Sequence, residues 1–290
     1  MAVVNIHDVD ELICRALLED AANCDLTAQA TIAATQTGTA LITAKAAGVL
    51  SGLAVGDRVF SLVDARITRE WQRVDGDAVA AGDCIAILTG PLRALLSAER
   101  TALNFIQHLS GIASATHAFV EVVAGTGCAV VDTRKTTPGL RHLEKQAVLH
   151  GGGVNHRMDL ASGMLIKENH ILGAGSIAAA ITNCRALLRS GEHASDVWIE
   201  VECETMDELR EAVDAAPDII LLDNMSPQQT RQARDMVPAS IVLESSGNIT
   251  LSNARAYAET GVDRIAIGAI THSAPALDIS MRVSAAAPEV

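Results

Sequence analysis

The sequence predicts an α/β protein, an incomplete parallel α/β barrel preceded by a small α+β domain. Two observations point there. In the second half, six short apolar runs each stop abruptly at polar or charged residues, and the stretches between them have helical periodicity. The region from 113 to 273 that holds these runs is also shorter than the roughly 200 to 250 residues of a complete eight-unit barrel. An open side covered by something else, such as a second subunit, is the economical reading.

The elements follow in order. Asp8 to Ala22 is a short amphipathic helix with an acidic first turn. Thr39–Ala44, Asp64–Val74 and Cys84–Leu88 are expected as strands, with turn chemistry at Asp75-Gly76-Asp77 and Ala81-Gly82-Asp83. No lysine stands at a hairpin tip, which sets aside a lipoyl-type carrier. Pro91 opens a long helical stretch whose apolar face includes Leu92, Leu95, Leu96, Ala102, Leu103, Ile106 and Leu109. Gly111 is expected to end or bend it before a second helix reaches Val123, and Gly125-Thr126-Gly127 is punctuation before the barrel. The barrel strands are then Ala129–Val131, Met164–Ile166, Val197–Ile199, Ile219–Leu222, Ile241–Leu243 and Ile265–Ile267. The expected division is an N-terminal α+β domain over 1–112, joined by 274–290, and a barrel over 113–273. Ala285-Ala286-Ala287 and Pro288 read as a loose tail.

Composition sets outer limits. Apolar residues at 49% and charged ones at 20% suit a globular protein and argue against disorder, and the 2% aromatics leave the core to Ala, Val, Leu and Ile. A net charge of -13 disfavours non-specific binding to nucleic acid or an anionic membrane. No uncharged apolar stretch reaches membrane-spanning length, and charges at Asp8, Asp10, Glu11 and Arg15 do not suit a signal peptide. Cys14, Cys24, Cys84, Cys128, Cys184 and Cys203 are scattered without zinc-like spacing. They read as small buried thiols, and the expected location is the cytoplasm.

The strand ends carry the chemistry, as parallel barrels require. Asp132-Thr133-Arg134-Lys135-Thr136-Thr137-Pro138-Gly139 sets a guanidinium fork beside an ammonium point charge at one end. Gly151-Gly152-Gly153-Val154-Asn155-His156-Arg157 combines backbone freedom with His and Arg, and lacks the Gly-Lys-Ser/Thr of a P-loop. Lys167 in Lys167-Glu168-Asn169-His170 could form a Schiff base or act as a simple cation, and neighbouring cations make the anion clamp more natural. Glu202 and Asp223 end successive strands and suit Mg²⁺ held through water, or sugar hydroxyls, whereas Glu200 and Glu204 read as charges solvating strand ends. His142, His150, His156 and His170 lack a helical metal-ligand pairing. Glu244-Ser245-Ser246-Gly247-Asn248 and Gly268-Ala269-Ile270-Thr271-His272 stand where barrels often bind phosphate. Gly173-Ala174-Gly175-Ser176-Ile177-Ala178 matches a dinucleotide fingerprint without the strand that should precede it, and reads as a turn and N-cap.

In this order, these stretches resemble the quinolinate phosphoribosyltransferase family over nearly the whole chain, from Asp25-Leu26-Thr27 to Asp278-Ile279-Ser280-Met281. Glu99-Arg100-Thr101-Ala102-Leu103-Asn104 and the E-V-E and L-L-D-N segments add to the likeness. The resemblance implies transfer of phosphoribosyl from phosphoribosyl pyrophosphate to the ring nitrogen of quinolinate, with loss of CO₂, in NAD biosynthesis. It implies that Arg134, His156, Arg157 and Lys167 meet the two ring carboxylates, with Thr133 alongside and Lys135 near the phosphoribosyl pyrophosphate. Lys135, Lys167, Glu202 and Asp223 would carry the catalytic roles, and Glu202 and Asp223 would hold the ribose and Mg²⁺. Ser246, Gly247, Gly268 and Ala269 would seat the 5′-phosphate. Arg100 would enter from the neighbouring subunit of a homodimer with a shared site, with higher assembly open. Three positions depart from the family: Gln146 for Tyr, Asp159 for Gly and Ser162 for Asp. The added carboxylate of Asp159 could weaken anion binding or pair with a site cation.

Other readings stay in view: a same-fold relative linked to molybdenum transport, a Schiff-base lyase, and an anion-binding relative with another substrate or no catalysis. An intact K-E-N-H containing Lys167 argues against the first.

Overall fold

The computed structural model describes residues 6–191 and 197–284; the expected tail at Ala285–Pro288 lies outside them. Two compact units are present. The first comprises 1–117, 137–152 and 273–290, and the second 118–136 and 153–272. The segment 137–152 thus groups with the first unit, where the sequence reading puts it in the barrel.

The first unit is built on four antiparallel strands: β1 Thr37–Ala44, β3 Thr68–Trp71, β5 Cys84–Pro91 and β12 Ile279–Ser284, in the order β12-β1-β5-β3. The short strands β2 Gly48–Val49 and β4 Ala78–Val79 pair separately. Alternation along β1 buries Ala40, Ile42 and Ala44, and β5 contributes Ile85, Ala86 and Leu88 to the same core. The expected strand Asp64–Val74 shrinks to β3, because the helix Leu53–Val63 precedes it and Asp64 caps that helix, its N–H donating to the Phe60 carbonyl.

The long helix is one piece, Leu92–Val123, and Gly111 does not end it. Glycine is required there for another reason. A Cβ at this position would run into the backbone of Pro275 and Ala276, so the helix and that segment can approach only at Gly111. Leu277 N–H donates to the Gln107 carbonyl beside it.

The second unit holds six parallel strands: β6 Ala129–Val131, β7 Met164–Ile166, β8 Ile199–Cys203, β9 Ile219–Asp223, β10 Val242–Ser246 and β11 Arg264–Ala266. Their order, β6-β11-β10-β9-β8-β7, is that of a barrel left open between β6 and β7. Val154 adds one parallel bridge to Val131 at the free edge of β6. The connecting helices are sharply specified. Thr205 with Glu208 and Ser226 with Gln229 form capping boxes, and Pro227 stands at the start of its helix, where a missing N–H costs nothing. Ser176 caps the helix Ile177–Arg189, as expected from the Gly-Ala-Gly-Ser turn. A further helix, Glu168–Ala174, occupies residues read as loop. No single helix among the described residues is long and apolar enough to cross a membrane.

Candidate active site

All six strands of the parallel sheet point their C-terminal ends the same way, and a cavity of about 430 Å³ opens there. Thr133, Arg134 and Lys135 follow β6, and Lys167 follows β7; Glu202, Asp223, Ser246 and Ala266 stand at the ends of β8 to β11. His156 and Arg157 enter from the segment after the Val154 bridge, and Leu165, Leu221 and Glu244 complete the wall. Nine residues picked out by sequence thus share one cavity: Thr133, Arg134, Lys135, His156, Arg157, Lys167, Glu202, Asp223 and Ser246.

Gly247, Gly268 and Ala269 lie beside this cavity without lining it. Gly247 has φ 95°, and a Cβ there would stand 2.6 Å from Asn224 Cγ, so only glycine fits this turn. Gly268 packs against Lys135 and His272 ahead of the short helix Ala269–His272. Arg100 is exposed on the helix Leu92–Val123 in the first unit and is not among the lining residues.

Local hydrogen bonds hold the cations. Lys135 N–H donates to Thr133 Oγ1 at 3.0 Å, and Thr271 Oγ1 donates to the Lys135 carbonyl at 2.8 Å. His156 N–H donates to the buried Asp132 carboxylate at 2.9 Å. Arg157 Nη1 donates to the Gly163 carbonyl at 2.9 Å, while burial and the nearby Arg134 push its pKa below the usual guanidinium value. The Nε of Arg134 is buried and has no hydrogen-bond partner among the described residues. Lys167 forms an ion pair with Glu202 and sits at the N-cap of Glu168–Ala174, its N–H donating to His170 Nδ1 at 3.0 Å.

One carboxylate oxygen from each of Glu202, Glu204 and Asp223 lies within 4.8 Å of the others, a spacing that suits a hard divalent ion. Glu204 thereby joins the two acids read from the sequence. Asn224 Nδ2 donates to Asp223 at 2.7 Å, and Asn248 Nδ2 to Asn224 at 3.0 Å, tying the ends of β9 and β10 together.

Glu200 overturns its reading as a solvating charge. The strand β8 runs on through Glu202 to Cys203, so Glu200 is inside it and fully buried. Glu244 on β10 is equally buried, and Arg264 of β11 forms ion pairs with both. Burial pushes the carboxyls of Glu200 and Glu244 up to about 7, with Glu200 also raising Glu244 and Arg264 opposing both shifts. Period-2 spacing could have found them: Glu200 and Glu244 stand two residues before Glu202 and Ser246, on the same faces.

With this geometry in view, likeness to known proteins becomes specific. Residues 25–110 match the model of the quinolinate phosphoribosyl transferase N-terminal domain, and residues 112–282 that of its C-terminal domain. The chain belongs to the quinolinate phosphoribosyltransferase family. It is 44% identical over 281 residues, 97% of this chain and 95% of the relative, to a probable nicotinate-nucleotide pyrophosphorylase [carboxylating] of Bacillus subtilis. Identity to the nicotinate-nucleotide pyrophosphorylase [carboxylating] of Mycobacterium leprae is 41%, covering 93% and 95%. The solved nicotinate-nucleotide pyrophosphorylase of Francisella tularensis superimposes with a TM-score of 0.91 at 40% identity, covering 97% of this chain and 98% of that one.

The departures from the family resolve into local structure. Asp159 Oδ1 accepts the N–H groups of Ala161 and Ser162 at 2.9 Å, and Ser162 Oγ accepts those of Met158 and Asp159. The two substituted side chains close one turn together, and the Asp159 carboxylate is engaged with that turn. Gln146 lines a larger cavity of about 660 Å³ in the first unit. The one guanidinium there, Arg58, is held by Asp10, so that cavity lacks a cation set for a polyanion.

Proposed function

We propose that this chain transfers phosphoribosyl from phosphoribosyl pyrophosphate to the ring nitrogen of quinolinate and decarboxylates the adduct, giving nicotinate mononucleotide, pyrophosphate and CO₂ for NAD biosynthesis. The observation that carries this reading is the convergence of Arg134, Lys135, Arg157 and Lys167 on one cavity, opposite Glu202 and Asp223. Arg134, Arg157 and Lys167, with His156 and Thr133 beside them, take the two ring carboxylates; the unpartnered Nε of Arg134 supports this. Lys135 draws the pyrophosphate, and the turns at Ser246-Gly247 and Gly268-Ala269 seat the 5′-phosphate.

The pyridine nitrogen attacks the anomeric carbon as its bond to pyrophosphate breaks, so the protein supplies position and charge, and no nucleophile of its own. Glu202 and Asp223 hold the ribose hydroxyls as positive charge develops on the sugar. Mg²⁺, held by these acids with Glu204 close by, would neutralise the departing pyrophosphate. The positive ring nitrogen then stabilises the electron pair left on the adjacent ring carbon as CO₂ departs, and that carbon takes a proton from water. Six free cysteines support a reducing, cytoplasmic setting. Arg100 reaches the site of a partner subunit in a homodimer.

The test is coupled release of pyrophosphate and CO₂ from quinolinate, phosphoribosyl pyrophosphate and Mg²⁺, with nicotinate as comparison. Turnover is expected with quinolinate alone, and none with either substrate would sink the assignment. Arg134→Ala or Lys167→Ala should cost about 2 kcal/mol or more, raising the quinolinate KM about 30-fold with the fold intact. Near-wild-type kinetics would remove that residue from the clamp.

A further inference from the structure

Beneath the cavity lies a layer of charge that the reaction does not consume. Glu200 on β8, Glu244 on β10 and Arg264 on β11 meet His156, whose Nε2 stands 2.9 Å from Glu200 Oε2 and 3.6 Å from Glu244 Oε1. Both carboxylates are fully buried. An ionic layer of this kind is a poor source of stability, since well-packed apolar side chains often serve as well or better. The same imidazole and carboxylates have metal-like spacing, but the Arg264 guanidinium already supplies the cation there.

The imidazole is constrained around its ring. Arg157 N–H donates to Nδ1 at 2.7 Å, which leaves the ring proton on Nε2, facing Glu200. Trp198 packs edge-on, ring centroids 5.2 Å apart. The next residue along the chain is Arg157, whose guanidinium is on the cavity wall. We infer that Glu200, backed by Glu244 and Arg264, is a positioning residue: it fixes the His156 ring, which anchors the Arg157 backbone and aims its guanidinium at the substrate's carboxylates. The substrate named here rests on the function proposed above; the clamp itself rests on the contacts just given.

The experiment compares wild type with Glu200→Ala and the near-isosteric Glu200→Gln, which keeps the side chain's size and removes its charge. Three quantities are read: KM for quinolinate, KM for phosphoribosyl pyrophosphate, and the His156 tautomer by ¹H–¹⁵N spectroscopy of histidine-labelled enzyme. Glu200→Ala is expected to raise the quinolinate KM by about 10-fold or more, as small misplacements of a binding group do. The phosphoribosyl pyrophosphate KM should stay within about twofold, because Glu200 stands against His156, which is assigned to quinolinate. The Nε2–H signal should shift in Glu200→Ala as its carboxylate neighbour is lost, the tautomer staying fixed by the Arg157 N–H, with Glu200→Gln intermediate in both readouts. An unchanged quinolinate KM, or both KM values rising together, overturns the clamp. Should Glu200→Ala fail to fold, the same criteria apply to Glu200→Gln. A wild type that shows the Nε2 tautomer yet neither binds nor converts quinolinate overturns the reaction assignment, and is distinct from an active wild type whose variants keep their quinolinate KM.

Discussion

Glu244 carries a charge that the fold tolerates only at a cost, and this has a measurable sign. Its folded pKa is pushed up to about 7 by burial, first, and by Glu200, with Arg264 and His156 pulling the other way. A carboxyl raised in the folded state adds stability below its unfolded pKa near 4.5, and that contribution is lost as pH rises through about 7. Glu244→Gln, uncharged throughout, should therefore show a smaller fall in thermal midpoint between pH 5 and pH 8 than wild type does. Parallel curves for the two proteins would contradict a raised pKa at this site. The residue scale is also where the sequence was easiest to read and easiest to misread. Lys167 and Asp223 stand where apolar runs stop, and a mouth residue announces itself that way. Glu200 stands at such a stop too and misleads, because a buried charge inside a strand looks the same as a strand end until its partners His156 and Arg264, 44 and 64 positions away by number, are brought beside it.

Glycine shows the same contrast between local signal and tertiary cause at the level of elements. In isolation, Gly→Ala inside a helix gains about 1 kcal/mol. Gly173, in the helix Glu168–Ala174, would carry a Cβ with nothing within 4 Å, so Gly173→Ala should raise the thermal midpoint. Gly111 faces the Pro275 backbone, which cannot move aside as a side-chain tip can, so Gly111→Ala should lower the midpoint despite the same gain in propensity. Thermal unfolding of the two variants decides it, and a stabilised Gly111→Ala would mean that the helix and the Pro275 segment do not pack as described. Read from sequence, Gly111 is a helix breaker, since the chain approaching it is 164 residues further on. The helices Leu53–Val63 and Glu168–Ala174 escaped for a related reason: Gly56 in the one and Gly173 in the other carry turn signals that packing overrides, while Gly52 and Gly175 cap the two helices in the left-handed region. Barrel strands were legible where both faces are buried and the run is therefore apolar, as along Ile219–Leu222 of β9.

At the scale of the whole molecule, a chain of net charge -13 gathers four Arg and Lys side chains around one cavity. That local reversal of sign is what draws an anionic substrate to a protein whose wider field repels it. The fifth cation assigned by family resemblance, Arg100, is exposed on the first unit and absent from the cavity's lining. If it acts, it acts on the site of another copy, and the arithmetic of a two-fold dimer makes this testable. An Arg100→Ala chain and an Arg134→Ala chain are each expected to be poorly active alone when quinolinate is kept near the wild-type KM. Mixed at equal amounts and allowed to exchange, half of the dimers are hybrids, and each hybrid holds one site with both arginines intact. Recovered activity should approach about a quarter of the wild-type value, the fraction of complete sites under random pairing in an isologous dimer. Arg100→Ala mixed with itself supplies the background. Recovery no greater than that background would show that Arg100 serves its own chain or none, and the open edge between β6 and β7 would then need a different cover.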